Sequence, residues 1–283
     1  MKGFGDLPQP LADPARARIA IVPVPYDGTS TWLKGADRGP EAILEASAHL
    51  ELYDIETGTE PYRHGILTDT PVAESGSPEA MARAVEQRVS GHLEAGRFPV
   101  VLGGEHSVAI GAMRAAAARW PGLTFLQLDA HADLRDEYEG SRHNHACVMA
   151  RARELGPIVQ VGIRSMDVSE NEGLDPRRVF YAEHLHNRRG WAREVLHRLS
   201  RRVYLTVDLD VLDPAVMPST GTPEPGGLGW YQLLELIRLV CRQRELVGCD
   251  LVELAPSDNR APDFLAAKLV YKLLAYRFQG EKP

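Results

Sequence analysis

Cysteine is scarce in this chain. The 283 residues include three, Cys147, Cys241 and Cys249, which cannot all pair with one another and show no C-x-x-C spacing. That argues against a disulfide framework and a zinc finger, and for inert core thiols in a reducing, cytoplasmic setting. Basic charge is also short, since 32 Lys and Arg stand against 39 Asp and Glu, a net charge of −7. Binding to a phosphate backbone asks for the opposite balance, so nucleic acid is not an expected partner. No stretch approaches the roughly 18 apolar residues of a membrane span. The opening Met-Lys-Gly-Phe-Gly-Asp carries no apolar signal core, so neither export by that route nor a membrane span is expected. The P-loop and G-x-G-x-x-G patterns are missing, and no Ser-His-Asp or Cys-His order stands out. No linker, internal repeat or low-complexity tract divides the chain, which points to one domain over 1–283.

What remains has an ordinary globular composition, 44% apolar and 25% charged, with length enough to bury roughly 75% of the unfolded surface. Short apolar runs at 19–24, 98–102, 124–128, 158–161, 203–207 and 246–252 end in or near Gly, Asp, Glu or Pro. They alternate with stretches of helical periodicity at about 40–50, 78–95, 107–119, 146–155, 190–200, 230–243 and 262–277. Such alternation predicts an α/β fold, a doubly wound parallel sheet whose strands are buried on both faces. Ser77, followed by Pro78, and Ser107 are the expected helix N-caps. The Pro- and Gly-rich stretch 214–229 reads as a long loop.

In open α/β sheets the ligand lies beyond the carboxyl ends of the strands. Four strand ends carry metal-ligating side chains: Gly103-Gly104-Glu105-His106-Ser107, Asp129-Ala130-His131-Ala132-Asp133, Asp208-Leu209-Asp210, and Glu253. Extended backbone would place Asp129, His131 and Asp133 on one face, and Asp208 with Asp210 likewise. Gly103 and Gly104 would let His106 approach from a neighbouring strand. Four ionised Asp side by side sum to −4, a state that repulsion and desolvation oppose. Two divalent cations cancel that charge. Oxygen-rich ligation with two imidazoles and no thiolate favours a manganese pair over a four-coordinate zinc. His145 opens the helix after this loop and is a candidate proton shuttle, with His143 as the competing choice. Glu253, otherwise only a polar strand end, is a candidate to hold a cationic substrate group, since a carboxylate and a guanidinium form a two-point charge-assisted hydrogen bond.

In order along the chain, these motifs resemble those of the ureohydrolase (arginase/agmatinase) superfamily. Pro25-Tyr26-Asp27-Gly28-Thr29-Ser30 with Gly35-Ala36-Asp37-Arg38-Gly39-Pro40 is similar to its N-terminal signature. Val207-Asp208-Leu209-Asp210-Val211-Leu212-Asp213-Pro214, the Gly221-to-Gly227 loop and Asp250-Leu251-Val252-Glu253-Leu254-Ala255-Pro256 extend the likeness over nearly the whole chain. The resemblance implies a three-layer α/β/α sandwich with a mostly parallel central sheet. It implies two manganese ions, one held by His106, Asp129, Asp133 and Asp208, the other by His131, Asp129, Asp208 and Asp210. It further implies that Glu253 anchors a guanidinium while Asp133 and His145 move protons to a departing amine, releasing urea. A homo-oligomer, trimer or hexamer, goes with the family.

Substrate choice is read from the loop 134–144, which resembles the Asp-Glu-Tyr-Glu-Gly loops of microbial agmatinases. Asp136, Glu137 and Glu139 would either suit a distal ammonium or form a solvated face, whereas an inward Arg135 or Arg142 would receive a carboxylate. Agmatine is the first expectation, a longer guanidino-polyamine such as aminopropylagmatine the second, and arginine the third, with guanidinobutyrate and formiminoglutamate within the same chemistry. Two readings of other classes stand beside these. A deacetylase-like amidohydrolase with a single zinc would leave Asp133 and Asp210 as carboxylates without a compensating charge. A catalytically silent binding homologue would be expected to have lost a ligand, and none is lost here.

Overall fold

A computed structural model of the chain describes residues 2–282. Every expected apolar run lies in a strand, and the strands form one sheet: β1 Ile19–Val24, β2 Ile66–Thr68, β3 Phe98–Gly103, β4 Thr124–Leu128, β5 Ile158–Ile163, β6 Val179–Tyr181, β7 Arg202–Asp208 and β8 Glu245–Val252. Their order is β2-β1-β3-β8-β7-β4-β5-β6 and every pairing is parallel. β2 and β6 lie outside the sequence expectation because three residues are too few to show a period. They form the two edges, where short strands limit pairing with other chains.

Seven longer helices cover the sheet: α1 Gly39–Ser47, α2 Pro78–Glu94, α3 Ala109–Arg119, α4 Val148–Leu155, α5 Trp191–Arg198, α6 Trp230–Gln243 and α7 Ala261–Arg277. Alternate strand residues divide between two cores. Val100, Leu102, Leu126, Val203 and Leu205 pack with α1, α5, α6 and α7. Val101, Phe125 and Tyr204 pack on the other face with α2, α3 and α4. The result is three layers, α/β/α, with the sheet buried on both sides. Among the described residues, no helix is long and apolar enough to cross a membrane.

Ser77 caps α2, its hydroxyl accepting the Ala80 N–H at 3.1 Å. Ser107 caps nothing, contrary to expectation. It lies inside a 3-10 turn, His106–Val108, and its hydroxyl is spent on the Glu105 carboxylate. Asn144 instead caps the turn His145–Cys147 that leads into α4. Cys147 and Cys249 are buried free thiols, and Cys241 is half-buried.

Candidate active site

The carboxyl ends of β3, β8, β7 and β4 are neighbours at the centre of the sheet. His106, Asp129, His131, Asp133, Asp208, Asp210 and Glu253 all gather there. His106 Nδ1 lies 3.2 Å from Asp129 Oδ2, 2.9 Å from Asp133 Oδ2 and 3.7 Å from Asp208 Oδ2. His131 Nδ1 lies 2.9 Å from Asp210 Oδ2 and 3.6 Å from Asp129 Oδ1. Two groups therefore have ligand atoms within 4.8 Å of one another, His106 with Asp129 and Asp208, and Asp129 with His131 and Asp210. Asp129 is common to both.

The pleat alone does not produce this convergence. β4 and β7 end at Leu128 and Asp208, and each Asp that follows the apolar run closes a tight turn with its own carboxylate. Asp129 Oδ1 accepts the His131 N–H at 2.6 Å, and Asp208 Oδ1 accepts the Asp210 N–H at 2.8 Å. One oxygen is held by the backbone, and the other is left to face the cluster. Asp133 and Glu253 take left-handed backbone, φ 52° and 67°. Such strain in non-glycine residues persists only where surrounding structure enforces it. The glycine pair acts differently from expectation too. A Cβ on Gly104 would sit 2.0 Å from the Tyr26 carbonyl oxygen, so Gly104 admits the backbone that follows β1 rather than His106.

A second set of residues orients the first, and the sequence reading missed it. Thr206 Oγ1 donates to Asp250 Oδ1 at 2.5 Å, so at 2.8 Å from His106 Nε2 it can only accept. In the neutral ring the proton is thereby fixed on Nε2, and Nδ1 is the nitrogen that faces the three carboxylates. That Nδ1 is buried without a hydrogen-bond partner, as a metal-ligating nitrogen would be in the absence of its cation. Gln160 Nε2 donates to Gln127 Oε1 at 2.6 Å, and Gln127 Nε2 to Asp129 Oδ2 at 2.7 Å. The signal was a polar residue inside each apolar run. Register puts Gln160, Gln127, Thr206 and Asp250 in one row across β5, β4, β7 and β8.

The electrostatics describe a site short of positive charge. Burial alone would favour a neutral His131, but the Asp210 and Asp129 carboxylates outweigh it and push the ring up to about 12. His106 is likewise raised against its burial by Asp129 and Asp133. Burial raises Asp133 to about 7, with Asp129 adding to it. Asp208 rises well above the carboxylate range through burial and its neighbours Asp210 and Asp129. Divalent cations would take the place of those protons, so the residues present fit a metal site.

A cavity of about 270 Å³ opens at the cluster, lined by His106, His131, Asp133, Asp208, His145 and Glu253, and also by Arg135, Tyr138 and Asp167. Glu253 Oε1 accepts the His106 N–H at 2.7 Å. Its pKa is raised by burial and then by Glu105. His145 is lowered to about 4, first by burial and then by His106 and His131.

Several loop residues fall elsewhere than expected. Asp136 is 70% exposed and pairs with Arg142 and Arg151, Glu137 and Glu139 are exposed, and none of the three lines the cavity. The arginines on α4 and in the loop draw Asp136 outward. Two carboxylates of the loop after β5 line the cavity instead, Asp167, 3.8 Å from Arg135, and Glu170, whose oxygens accept the Leu134 and Asp167 N–H groups. Arg135 does line the cavity, the position the carboxylate-binding alternative asks for, but its guanidinium lies over the Tyr138 ring at 4.4 Å and pairs with Asp167, and Arg142 stays outside with Asp136 and Glu154. His143 is also outside, its Nε2 2.7 Å from Arg114 and its Nδ1 3.5 Å from Glu79.

Known proteins share this arrangement of chain. The N(1)-aminopropylagmatine ureohydrolase of Synechocystis sp. is 42% identical over 280 residues, covering 95% of this chain and 92% of its own. The protein of that name from Thermus thermophilus is 40% identical over 281 residues, covering 97% and 94%. The crystal structure of agmatine ureohydrolase of Thermoplasma volcanium superposes with a TM-score of 0.87 at 34% identity, over 99% of this chain and 95% of that one. Residues 17–275 match the family described as Arginase, and the chain belongs to the arginase family.

Proposed function

We propose that this chain hydrolyses the guanidinium group of an amine-terminated guanidino compound to urea and an amine, a step of polyamine synthesis. The observation that carries the reading is a half-buried carboxylate, Glu253, in one cavity with two sets of metal-ligating side chains. Relatives named N(1)-aminopropylagmatine ureohydrolase support that compound as the first substrate to test, with agmatine second.

His106, Asp129, Asp133 and Asp208 would hold one cation, and His131, Asp129, Asp208 and Asp210 the other, with manganese as the proposed metal. Bound divalent cations supply Lewis acidity, making water acidic enough to ionise near neutral pH. Glu253 is half-buried beside Glu105 and Asp210, with His106 the group that offsets them, so an entering guanidinium would add the positive charge this end of the cavity is short of, in a two-point contact. Asp167, held below the usual carboxylate range by the Ser169 hydroxyl and N–H, is ionised and lines the same cavity, where it would pair with a distal ammonium. The water oxygen becomes the urea oxygen. The C–N bond to the chain breaks with its electron pair on nitrogen, and both water protons end there, giving an ammonium. Asp133 and His145 are the groups in the cavity able to take and return those protons. A homo-oligomer of three or six chains and a cytoplasmic location complete the proposal.

The test is urea release by manganese-loaded protein, with kcat/KM compared for aminopropylagmatine, agmatine, arginine and guanidinobutyrate. Preference for the two amine-terminated compounds supports the reading. Preference for arginine overturns the role of Asp167, and urea from none of them overturns the function.

A further inference from the structure

Thr29 lies in the N-terminal loop, far in sequence from the metal-ligating motifs, yet its hydroxyl touches His145 twice. Thr29 Oγ1 accepts the His145 N–H at 3.0 Å and lies 3.1 Å from His145 Nδ1. Its single hydroxyl proton goes to Glu105 Oε2 at 2.5 Å. Glu105 is wholly buried, and its other oxygen accepts the Ser107 hydroxyl. A hydroxyl has one proton and two acceptor positions. An ionised Glu105 can only accept, so the Thr29 proton is committed to it and Thr29 can only accept from Nδ1.

We infer that Glu105, acting through Thr29, fixes the tautomer of His145, placing its proton on Nδ1 and leaving the Nε2 lone pair open to the cavity. The same construction, carboxylate to threonine to imidazole, holds His106 through Asp250 and Thr206 with opposite ring polarity. One histidine presents Nδ1 to the cluster, and the other presents Nε2 to the substrate space. A base must offer a lone pair to the proton it takes, and the nitrogen that carries it is set by the hydrogen bond at the other. Thr29 and Glu105 are therefore positioning residues. The catalytic role of His145 rests on the proposed hydrolysis, whereas the tautomer does not.

Two variants test this in the full-length chain. In Glu105→Gln the amide NH₂ can donate to Thr29, which turns the hydroxyl toward Nδ1 and moves the His145 proton to Nε2. Thr29→Val removes the relay, and Thr29→Ser keeps it. The direct readout is the ¹⁵N spectrum of the histidine rings in zinc-loaded protein, with the His145 signals identified by their loss in His145→Asn. We expect a protonated Nδ1 and an unprotonated Nε2 in the parent and in Thr29→Ser, and the reverse in Glu105→Gln. In manganese-loaded protein, kcat should fall about a hundredfold or more in Thr29→Val and Glu105→Gln. KM should hold, and Thr29→Ser should restore turnover. A parent ring protonated on Nε2, or a tautomer that Glu105→Gln leaves unchanged, overturns the inference. If Thr29→Val fails to fold, Glu105→Gln and Thr29→Ser still decide it. Absence of urea from the parent enzyme defeats the proposed function, and the ring spectrum still decides the tautomer.

Discussion

Loading the cluster with metal should release protons, and the number can be worked out from its surroundings. Without cations, His106 and His131 are held protonated by the carboxylates around them. Asp208 keeps a proton because it is buried among other acids, and Asp133, raised to about 7, keeps a fraction of one at neutral pH. Ligands bind as neutral imidazole and carboxylate, so filling both sets at pH 7 should release about three protons per chain. Each released proton changes the binding free energy by about 1.4 kcal/mol per pH unit, so affinity for the pair should weaken by about 4 kcal/mol on lowering the pH from 7 to 6. The assay is calorimetric titration of stripped protein with manganese in buffers of different ionisation enthalpy, where the dependence of heat on buffer gives the proton count. Release of fewer than about one proton would mean that the cluster is already ionised without metal, and the account of its charge balance would be wrong.

Four further outcomes are expected. Thr206→Val should weaken metal binding about 10–100-fold by freeing His106 from Asp250, and Thr206→Ser should recover it, as read by competition with a chelator. Asp167→Asn should lower kcat/KM for amine-terminated substrates about fivefold and leave a guanidine without a distal amine unaffected; an equal loss for both would remove Asp167 from recognition. Gly104→Ala should destabilise the fold by about 1–3 kcal/mol, seen as a lower Tm, because its Cβ meets the Tyr26 backbone, which cannot yield as a flexible side chain would. Lys272→Met should cost about 3–5 kcal/mol in denaturant unfolding, because it strands the buried Asp54 carboxylate 2.9 Å away, and adding Asp54→Leu should return part of that. Burial works against Asp54, but hydrogen bonds from Lys272 and Thr57 outweigh it and depress its pKa. The stability from this pair is thus fully present above the ordinary value of 3.8 and is lost as pH falls through the lower native value.

The parts of the fold that were legible in sequence are those written locally. Runs such as Val203 to Val207 are apolar because both faces of their strand are covered, and a run of that kind declares itself. Asp129, His131, Asp133, Asp208 and Asp210 declare themselves as well, since each motif is one turn of chain. β2 and β6 were missed because three residues carry no pattern. Thr206 and Asp250 were missed because their partnership exists only through the register of β7 on β8, which nothing local specifies. The acids of the loop 134–144 misled because a charge that would suit a ligand also suits a nearby arginine. Arg151 takes Asp136, and a shorter turn carries Asp167 to the cavity instead.

The strand order has a consequence for how the molecule is made. β8 is the last strand in the chain, yet it lies between β3 and β7, and it alone joins β2-β1-β3 to β7-β4-β5-β6. Until residues 245–252 leave the ribosome, the nascent protein can build two half-sheets, each with a long unpaired edge, and no complete site. The last strand is a keystone: it closes both edges, delivers Asp250 to Thr206 and brings Glu253 to the His106 turn. A chain stopped short of it is expected to be exposed to aggregation and proteolysis and wholly inactive, so interrupted synthesis would yield no partly working enzyme.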